Sequence, residues 1–496
     1  MPNVAYTREE VKAALPDWTL VSDCVKGQRQ VKSKQDLYLP KPAGDIDPAY
    51  ADARYQAYLT RAMFYNGTGR TTEGLVGQVF GKPPELELSD TLAKYEDDID
   101  GHGTSLTQQS KIALKDNVSI GHGGLLVDFP TSDGSVVTLA DIQSKRLRPR
   151  ILNTEAARII NWQTVVVGGE AKLSLLVITE QKNVSTDVFE PDYEPRWRVY
   201  QLIKGETGHF VTVTVWRENS GEIGDGQELF VIESGPHTVV ANGTPLDTIP
   251  FVFYGALNNE PTIDKPPMLD LANVNIAHYR NSADYEESVF VVGQPTPVFT
   301  GLTQDWVDNN IKGKVILGSR SAVGLPQGAT AELLQTLPNS MPHEGMKHKE
   351  DQMKSIGAKL IEPGFTKTTA TQVLVDASSE SSILTTATDN VSTAYTVALG
   401  FFAQFLGAET EDIVFKLNTD FDVDRMDAQE RAQLLLEWQG GAITWEEMRG
   451  SLRLAGVATV EDGEAKRTID LEIDDIPGNE PEPEPKAPEP KAPAAE

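Results

Sequence analysis

Several residue sets in this chain carry the side chains of chemistry at the wrong spacing. Gly77 and Gly81-Lys82 resemble a phosphate-binding loop, but the run is one residue short and Pro83 replaces the Ser or Thr. ATP hydrolysis is therefore not expected. His343-Glu344 with His348 has the residue types of a zinc protease. The two histidines are five apart, however, and so do not share a helix face. Gly121-His122-Gly123-Gly124 is similar to an oxyanion-hole loop, yet no Gly-x-Ser-x-Gly elbow accompanies it. Cys24 is the single cysteine, which leaves no cysteine-ligated metal centre and no intrachain disulfide. The carboxylates are too numerous for one acid–base pair to stand out. The expectation is no catalytic residue, no metal site, no cofactor and no enzyme activity.

Charge narrows the partners. The 496 residues carry a formal net charge of −29, with a pI near 4.6. Tight nucleic-acid binders cluster Lys and Arg against phosphate, so that class is disfavoured. Two local basic groups remain. Lys26, Arg29, Lys32 and Lys34 could touch phosphate or simply form a solvated face, and Arg146, Arg148, Arg150 and Arg158 make a second patch. Hydrophobic residues are 39% and charged residues 24%, ordinary for a soluble chain of two or three domains. No apolar run approaches the ~18–20 residues that span a bilayer. The N-terminal MPNVAYTREEVKAAL lacks a signal-peptide pattern, and the lone cysteine fits a reducing cytoplasm.

The elements that hold these residues change texture along the chain. Thr7 to Glu10 predicts a capping box on a short helix ended by Pro16, with a second short helix over Trp18 to Gly27. Pro48 to Phe80 reads as two helices broken near Asn66, with Tyr50, Arg54, Tyr58, Arg61 and Tyr65 on one face. Helices are expected near Leu92 to Ile99 and Ser105 to Asp116, with a turn at Gly101-His102-Gly103 between them. A strand follows at GHGGLLVDFP, then a short helix over Asn153 to Trp162. Segments from Lys172, Trp197, Phe210 and Glu228 predict an antiparallel sheet.

From Ile249 to Gly407 the pattern is helical. Asp264 is placed to cap a helix whose first turn holds Pro266 and Pro267, and whose stripe is Leu269, Ala272, Ile276, Tyr279 and Ala283. An irregular insert separates it from a second helix over Pro342 to Ile361, with Met346, Met353, Ile356 and Leu360. A third helix is expected from Ala370 to Leu406, stopped by Gly407. Ile413 to Phe421 reads as a strand that returns to the sheet. Asp427 to Glu437 and Thr444 to Ala455 read as a helical hairpin. The long helices are only thinly apolar. Either they form a helical subdomain of an ordinary enzyme, or they pack against copies of themselves in a ring.

Three ungapped stretches carry a resemblance: YLTRAMFYNGTGRTTEGLVGQVFGKPP, PPMLDLANVNIAHYRNSADYEESVF and PNSMPHEGMKHKEDQMKSIGAKLIE. Over Trp18 to Ala458 the chain resembles a family of tailed-bacteriophage portal proteins, formerly labelled a domain of unknown function. The resemblance implies an α+β portal fold. An N-terminal wing of helices then sheet would occupy 1–265, a first stem helix 266–289 and a small clip 290–341. A second stem helix would occupy 342–361, a tunnel loop 362–371, and a long wing helix with returning strand 372–425. A short helical crown would occupy 426–477, followed by a Pro- and Glu-rich tail at 478–496 that is expected to be disordered.

The function implied is a dodecameric ring at a capsid vertex of the virion, assembled in the host cytoplasm, through which the viral genome is packaged and ejected. Implied partners are further copies of the chain, the terminase motor, major capsid or scaffold protein and head-completion adaptors. Double-stranded DNA would pass without sequence specificity, and no membrane is involved. An acidic wall suits such a conduit, since like charge keeps DNA from sticking. Thr366, Lys367, Thr368 and Thr369 in the tunnel loop, with Arg280, Asp284 and Glu287 in the stem, are the DNA-channel candidates. Lys367 could touch phosphate, or pair with Glu362 or a neighbour's carboxylate. Asp305, Trp306 and Asp308 are the clip candidates for partner binding, with Trp306 also readable as local core. The alternatives are another head–tail connector, a minor capsid protein, or an acidic cytoplasmic enzyme.

Overall fold

The computed structural model describes residues 3–42, 48–129, 148–206, 208–219, 229–293, 296–311, 324–334, 340–360, 382–419, 421, 428–454, 457–458, 460 and 462–474. The chain divides into a unit of Met1–Thr419 and a smaller one of Asp420–Glu496.

The first unit opens with α1 (Glu9–Lys26) and α2 (Gln28–Ser33). Pro16 lies inside α1 rather than ending it. Val11, Trp18, Val21 and Cys24 form one buried stripe across the proline, and burying them outweighs the single hydrogen bond that proline removes. The expected Thr7 capping box is absent, because the Glu10 carboxylate is held by the Arg8 guanidinium. Next come α3 (Pro48–Arg61) and α4 (Gly67–Val79). The break between them is built by Asn66, whose side chain accepts from the Gly69 amide and caps α4. Then follow β1 (Glu85–Glu87), the short α5 (Asp90–Ala93) and α6 (Leu106–Ile120). Ser105 and Gln108 form a capping box at the start of α6, and Gly121 closes it with φ 75°.

A three-stranded antiparallel sheet sits at the centre, in the order β11 (Phe251–Gly255), β2 (His122–Asp128), β3 (Arg150–Glu155). Every residue of β2 is buried. Its glycines serve packing: a Cβ on Gly123 would meet the Tyr254 ring, and one on Gly124 the Phe251 ring, both well under 3.0 Å. His122 fills an aromatic cage, stacked on Trp18 at 5.9 Å and beside Trp162 and Phe253. The expected helix over Asn153 to Trp162 is instead the end of β3, a single 3-10 turn (Ala156–Arg158) and β4 (Ile159–Val167).

That turn hands the chain to a five-stranded antiparallel meander, β4–β5–β6–β7–β8, with β5 (Glu170–Asn183), β6 (Tyr193–Lys204), β7 (His209–Glu218) and β8 (Phe230–Thr238). Ile160, Val177, Trp197 and Val199 form its small core, closed by Val4 and Ala5. The ribbon β9 (Val240–Ala241) and β10 (Thr244–Pro245) leads from it to β11.

The helical block follows: α7 (Leu269–Val292), β12 (Thr296–Thr300), α8 (Gln304–Trp306), β13 (Thr330–Leu334), α9 (Met341–Lys359), α10 (Ile383–Leu406) and β14 (Val414–Lys416). Pro266 and Pro267 precede α7 rather than forming its first turn. Asp264 does not cap it, since its carboxylate accepts from the Leu257 amide. The described part of the third helix begins at Ile383, where Ser382, in an extended conformation, caps it through the Thr385 amide; the expected stretch over 370–381 lies outside the described residues. Small residues along α10, among them Ala387, Thr388, Ser392 and Ala394, let it lie close to β11, β2 and α6. Asn117 bridges two of these elements by donating to the carbonyls of Gly255 and Ala387. Strand β14 pairs with β1, not with the meander. Ser392 and Thr396 of α10 hold it by its Leu417 and Phe415 amides.

The second unit contains α11 (Ala428–Gln439), α12 (Trp445–Leu454) and α13 (Asp462–Asp474). Thr444 and Glu447 form the expected capping box. Asp462 at the start of α13 accepts from Arg449 and Arg453 of α12. The proposed tail, 478–496, lies outside the described residues. Among the described residues, no helix is long and apolar enough to cross a membrane.

Candidate functional site

The region of most interest is the pair α7 and α9 with the hairpin between them. Helix α7 has 24 residues and α9 has 19, roughly 36 and 28 Å at ~1.5 Å per residue. Each has a buried root and an exposed tip. On α7 the buried side chains run from Leu269 to Ala283, and Val289, Phe290 and Val291 near its end are exposed. On α9 Met353 is buried while Met341 at the start is 70% exposed. The helices run antiparallel. His278 meets Glu350 at 3.3 Å near the roots, and the rings of Tyr285 and His343 lie 5.7 Å apart near the tips. Between them Gly345 gives room to Asn281, whose Nδ2 would lie 2.6 Å from an added Cβ.

The tips are joined by β12 and β13, paired antiparallel from Thr296–Leu334 to Thr300–Thr330. The Thr300 and Thr330 hydroxyls meet at 2.7 Å at the far end. Beyond them α8 and a π turn, Val307–Ile311, carry the three clip candidates together. Asp308 accepts from Gln304 Nε2 at 3.1 Å, and the Asp305 carbonyl accepts from Asn309. Asp305 and Asp308 are exposed and Trp306 is half-buried.

A second contact positions α7. Asn275 lies fully buried at its root, accepts from the amide and hydroxyl of Thr68, and donates to the Tyr65 carbonyl at 2.6 Å. One turn further, Arg280 Nε donates to the Tyr38 carbonyl and Ser282 Oγ accepts from the Met63 amide. Above these, α3 clasps the tip. Tyr58 donates to Asp284 at 2.6 Å, and Glu287 receives Arg61 closely and Arg54 at 3.8 Å. The Arg61 guanidinium lies 4.2 Å from the centre of the Phe290 ring. Burial and then the bond to Asp284 push the Tyr58 hydroxyl's pKa upward, so it stays a donor at any ordinary pH. Burial pulls the His278 pKa down in spite of Glu350, which favours a neutral ring there.

Arg280, Asp284 and Glu287 are thus brought together, each engaged within the chain by α3 or the segment before it. Sequence reasoning found the Arg54, Tyr58, Arg61 face but not its partner. The matching spacing of Asp284 and Glu287, three apart on α7, was the signal. Thr366, Lys367, Thr368 and Thr369 lie outside the described residues. Three members of the two basic groups are held by carboxylates. Arg148 pairs with Asp98, Arg150 with Asp128, and Lys34 with Asp23 at 3.6 Å. Among the described residues no three His, Cys, Asp or Glu side chains converge to hold a metal ion.

The family described as a domain of unknown function (DUF4055) matches residues 267–406, from the start of α7 to the end of α10. Curated proteins give no match. Among solved structures, a chain from the neck of an empty gene transfer agent (GTA) particle computed with C6 symmetry is 13% identical, with a TM-score of 0.36. That likeness covers 80% of this chain and 91% of the other. A chain from the virion of a native GTA particle is also 13% identical at a TM-score of 0.36, covering 87% of this chain and 100% of the other.

Proposed function

We propose that the chain is the subunit of a phage-type portal ring, a non-catalytic conduit at a capsid vertex through which duplex DNA is packaged and released. The observation that carries this reading is the antiparallel pair α7–α9, rooted in the unit and closing at its exposed tips on the hairpin β12–β13. It follows the stem–clip–stem order that the sequence resemblance implies, and the family match covers that same span. In this reading α7 and α9 are stem helices and the β12–β13 region is the clip that meets the terminase motor and later the head-completion adaptors. Thinly apolar stem helices with exposed tips gain burial by packing side by side in a closed ring through a heterologous interface. The net charge of −29 then keeps the conduit from binding the DNA it passes.

Electron microscopy of the purified full-length protein tests the reading. Closed rings with a central hole wide enough for a duplex are expected. If the protein stays monomeric both alone and when co-expressed with capsid and scaffold proteins, the reading fails.

A further inference from the structure

The turn between β5 and β6 presents two apolar side chains almost fully to solvent. Val188 is 94% and Phe189 90% exposed. The turn is held in shape by its own bonds. Ser185 N donates to Asn183 Oδ1, Phe189 N to Asp187 Oδ1 at 2.8 Å, Asp192 N to Ser185 Oγ at 2.7 Å and Val184 N to the Asp192 carbonyl. An ordered apolar knob loses little entropy on docking. Its flanks are acidic: Asp187, Glu190, Asp192 and Glu194.

A groove elsewhere on the same unit has the opposite character. It lies between α1 and α7, encloses about 600 Å³ and is lined by Leu15, Leu20, Ile276 and Ala277. That size falls within the ~300–1,000 Å³ usual for binding clefts. Leu37 at its margin is 61% exposed. Lys12 and Arg280 are the cations of its rim, with Asp17 the one carboxylate in its lining. Lys12 also pairs with Glu9, and Arg280 uses Nε on the Tyr38 carbonyl, which leaves the rest of its guanidinium for another acceptor.

Resting on the ring reading above, we propose that Val188 and Phe189 of one copy insert into the α1–α7 groove of the next. The acidic flanks of the knob then face Lys12 and Arg280. Knob and groove are different surfaces of one chain, so the contact is heterologous and repeats from copy to copy, as a ring requires. It also bears directly on α7, which couples the meander of one subunit to the helix pair of its neighbour.

The test uses the full-length chain with Phe189→Cys and Leu37→Cys, the native Cys24 being buried. Under mild oxidation the double variant is expected to give a ladder of covalent oligomers. An equal mixture of the two single variants is expected to stop at dimers with one chain of each. Phe189→Asp, at a site too exposed to affect folding, is expected to raise the concentration needed for assembly at least tenfold. An intrachain disulfide as the main product overturns the proposal. Closed rings without a ladder keep the ring and remove this contact. A ladder without closed rings keeps the contact and removes the ring reading, and neither rings nor ladder removes both.

Discussion

The phenolic hydroxyl of Tyr58 donates a 2.6 Å hydrogen bond to the Asp284 carboxylate, joining α3 to α7 where α7 leaves the buried part of the unit. Just beyond it, Arg61 holds Glu287 and covers Phe290. The helix pair is thus steered by side-chain bonds at its tip and by apolar burial at its root. Tyr58→Phe removes only the hydroxyl. Tyr58 is buried but Asp284 is exposed, so water can take over the carboxylate and the change is expected to cost about 1 kcal/mol. Hydrogen exchange should rise at Asp284 to Val292 and stay unchanged at Leu271 to Tyr279. Equal change in both halves would show that the clasp does not act on the tip.

Asn275 is the matching contact at the root, itself fully buried. Asn275→Ala leaves the buried Thr68 amide unpaired and removes one of the two donors to the Tyr65 carbonyl, which keeps the Gly67 amide, and is expected to cost about 1–3 kcal/mol. Asn275→Asp keeps the acceptor for Thr68 but sets a buried carboxylate against the Tyr65 carbonyl oxygen, so its loss should be larger at pH 7 than at pH 4, where the protonated acid can donate. Urea unfolding at the two pH values, with Asn275→Ala as the reference, gives the order. A loss for aspartate that does not shrink in acid relative to alanine would remove the donor assignment.

Two glycines distinguish a packing role from a catalytic one. A Cβ on Gly124 enters the Phe251 ring, inside a strand buried throughout. Gly124→Ala is expected to destabilise by about 3 kcal/mol or more, seen as a large fall in Tm. On Gly345 the added Cβ meets only the end of the Asn281 side chain, which can swing away. Gly345→Ala should therefore fold with little change.

His122 and Asp116 give opposite responses to acid. Burial in the aromatic cage holds the His122 pKa at about 4, below its usual 6.5. As pH falls from 6.5 to 4 the unfolded chain takes up a proton that the folded one refuses, so stability drops by up to about 3 kcal/mol. Burial raises Asp116 to about 6, although it accepts from Asn153. From pH 6 downward the folded chain takes up a proton that the unfolded one refuses until about 3.8, so stability rises. Asp116 is only half-buried, so its rise is smaller, about 2 kcal/mol. Urea midpoints at pH 7, 5.5 and 4.5 should fall faster for Asp116→Asn than for the parent chain, and slower for His122→Phe. Parallel curves for all three would remove both assignments.

Local periodicity carried much of this architecture. The break at Asn66, the turn at Gly101, the meander strands and the Thr444 capping box follow from residues within a few positions of one another. The departures come from distant partners. Pro16 signals a stop, but its helix continues because Trp18, Val21 and Cys24 are buried by other elements. Nothing near Val414 indicates that its partner is Glu87. The arginines at 148 and 150 read as a basic patch only until Asp98 and Asp128 are brought beside them. At the candidate site, the helix–hairpin–helix order was legible. The use made of Arg280, Asp284 and Glu287 was not, since it depends on Tyr38 and α3, more than two hundred residues earlier in the chain.

Lys367 is the cation of GFTKTT, a run of small and hydroxylated residues between α9 and α10 in sequence. In the ring reading this loop borders the DNA path, and one lysine per subunit gives a ring of weak, non-specific phosphate contacts. Such contacts can slow slippage without fixing register, because ammonium–phosphate attraction carries no base information. Lys367→Ala is expected to leave ring assembly intact and to lower the DNA retained per capsid severalfold, with Lys367→Arg close to the parent. If Lys367 instead serves only to pair with Glu362, Glu362→Gln should reproduce the alanine phenotype. Nuclease-protected DNA, measured in capsids assembled with each variant, separates the two. Packaging unchanged in Lys367→Ala would remove the residue from the channel altogether.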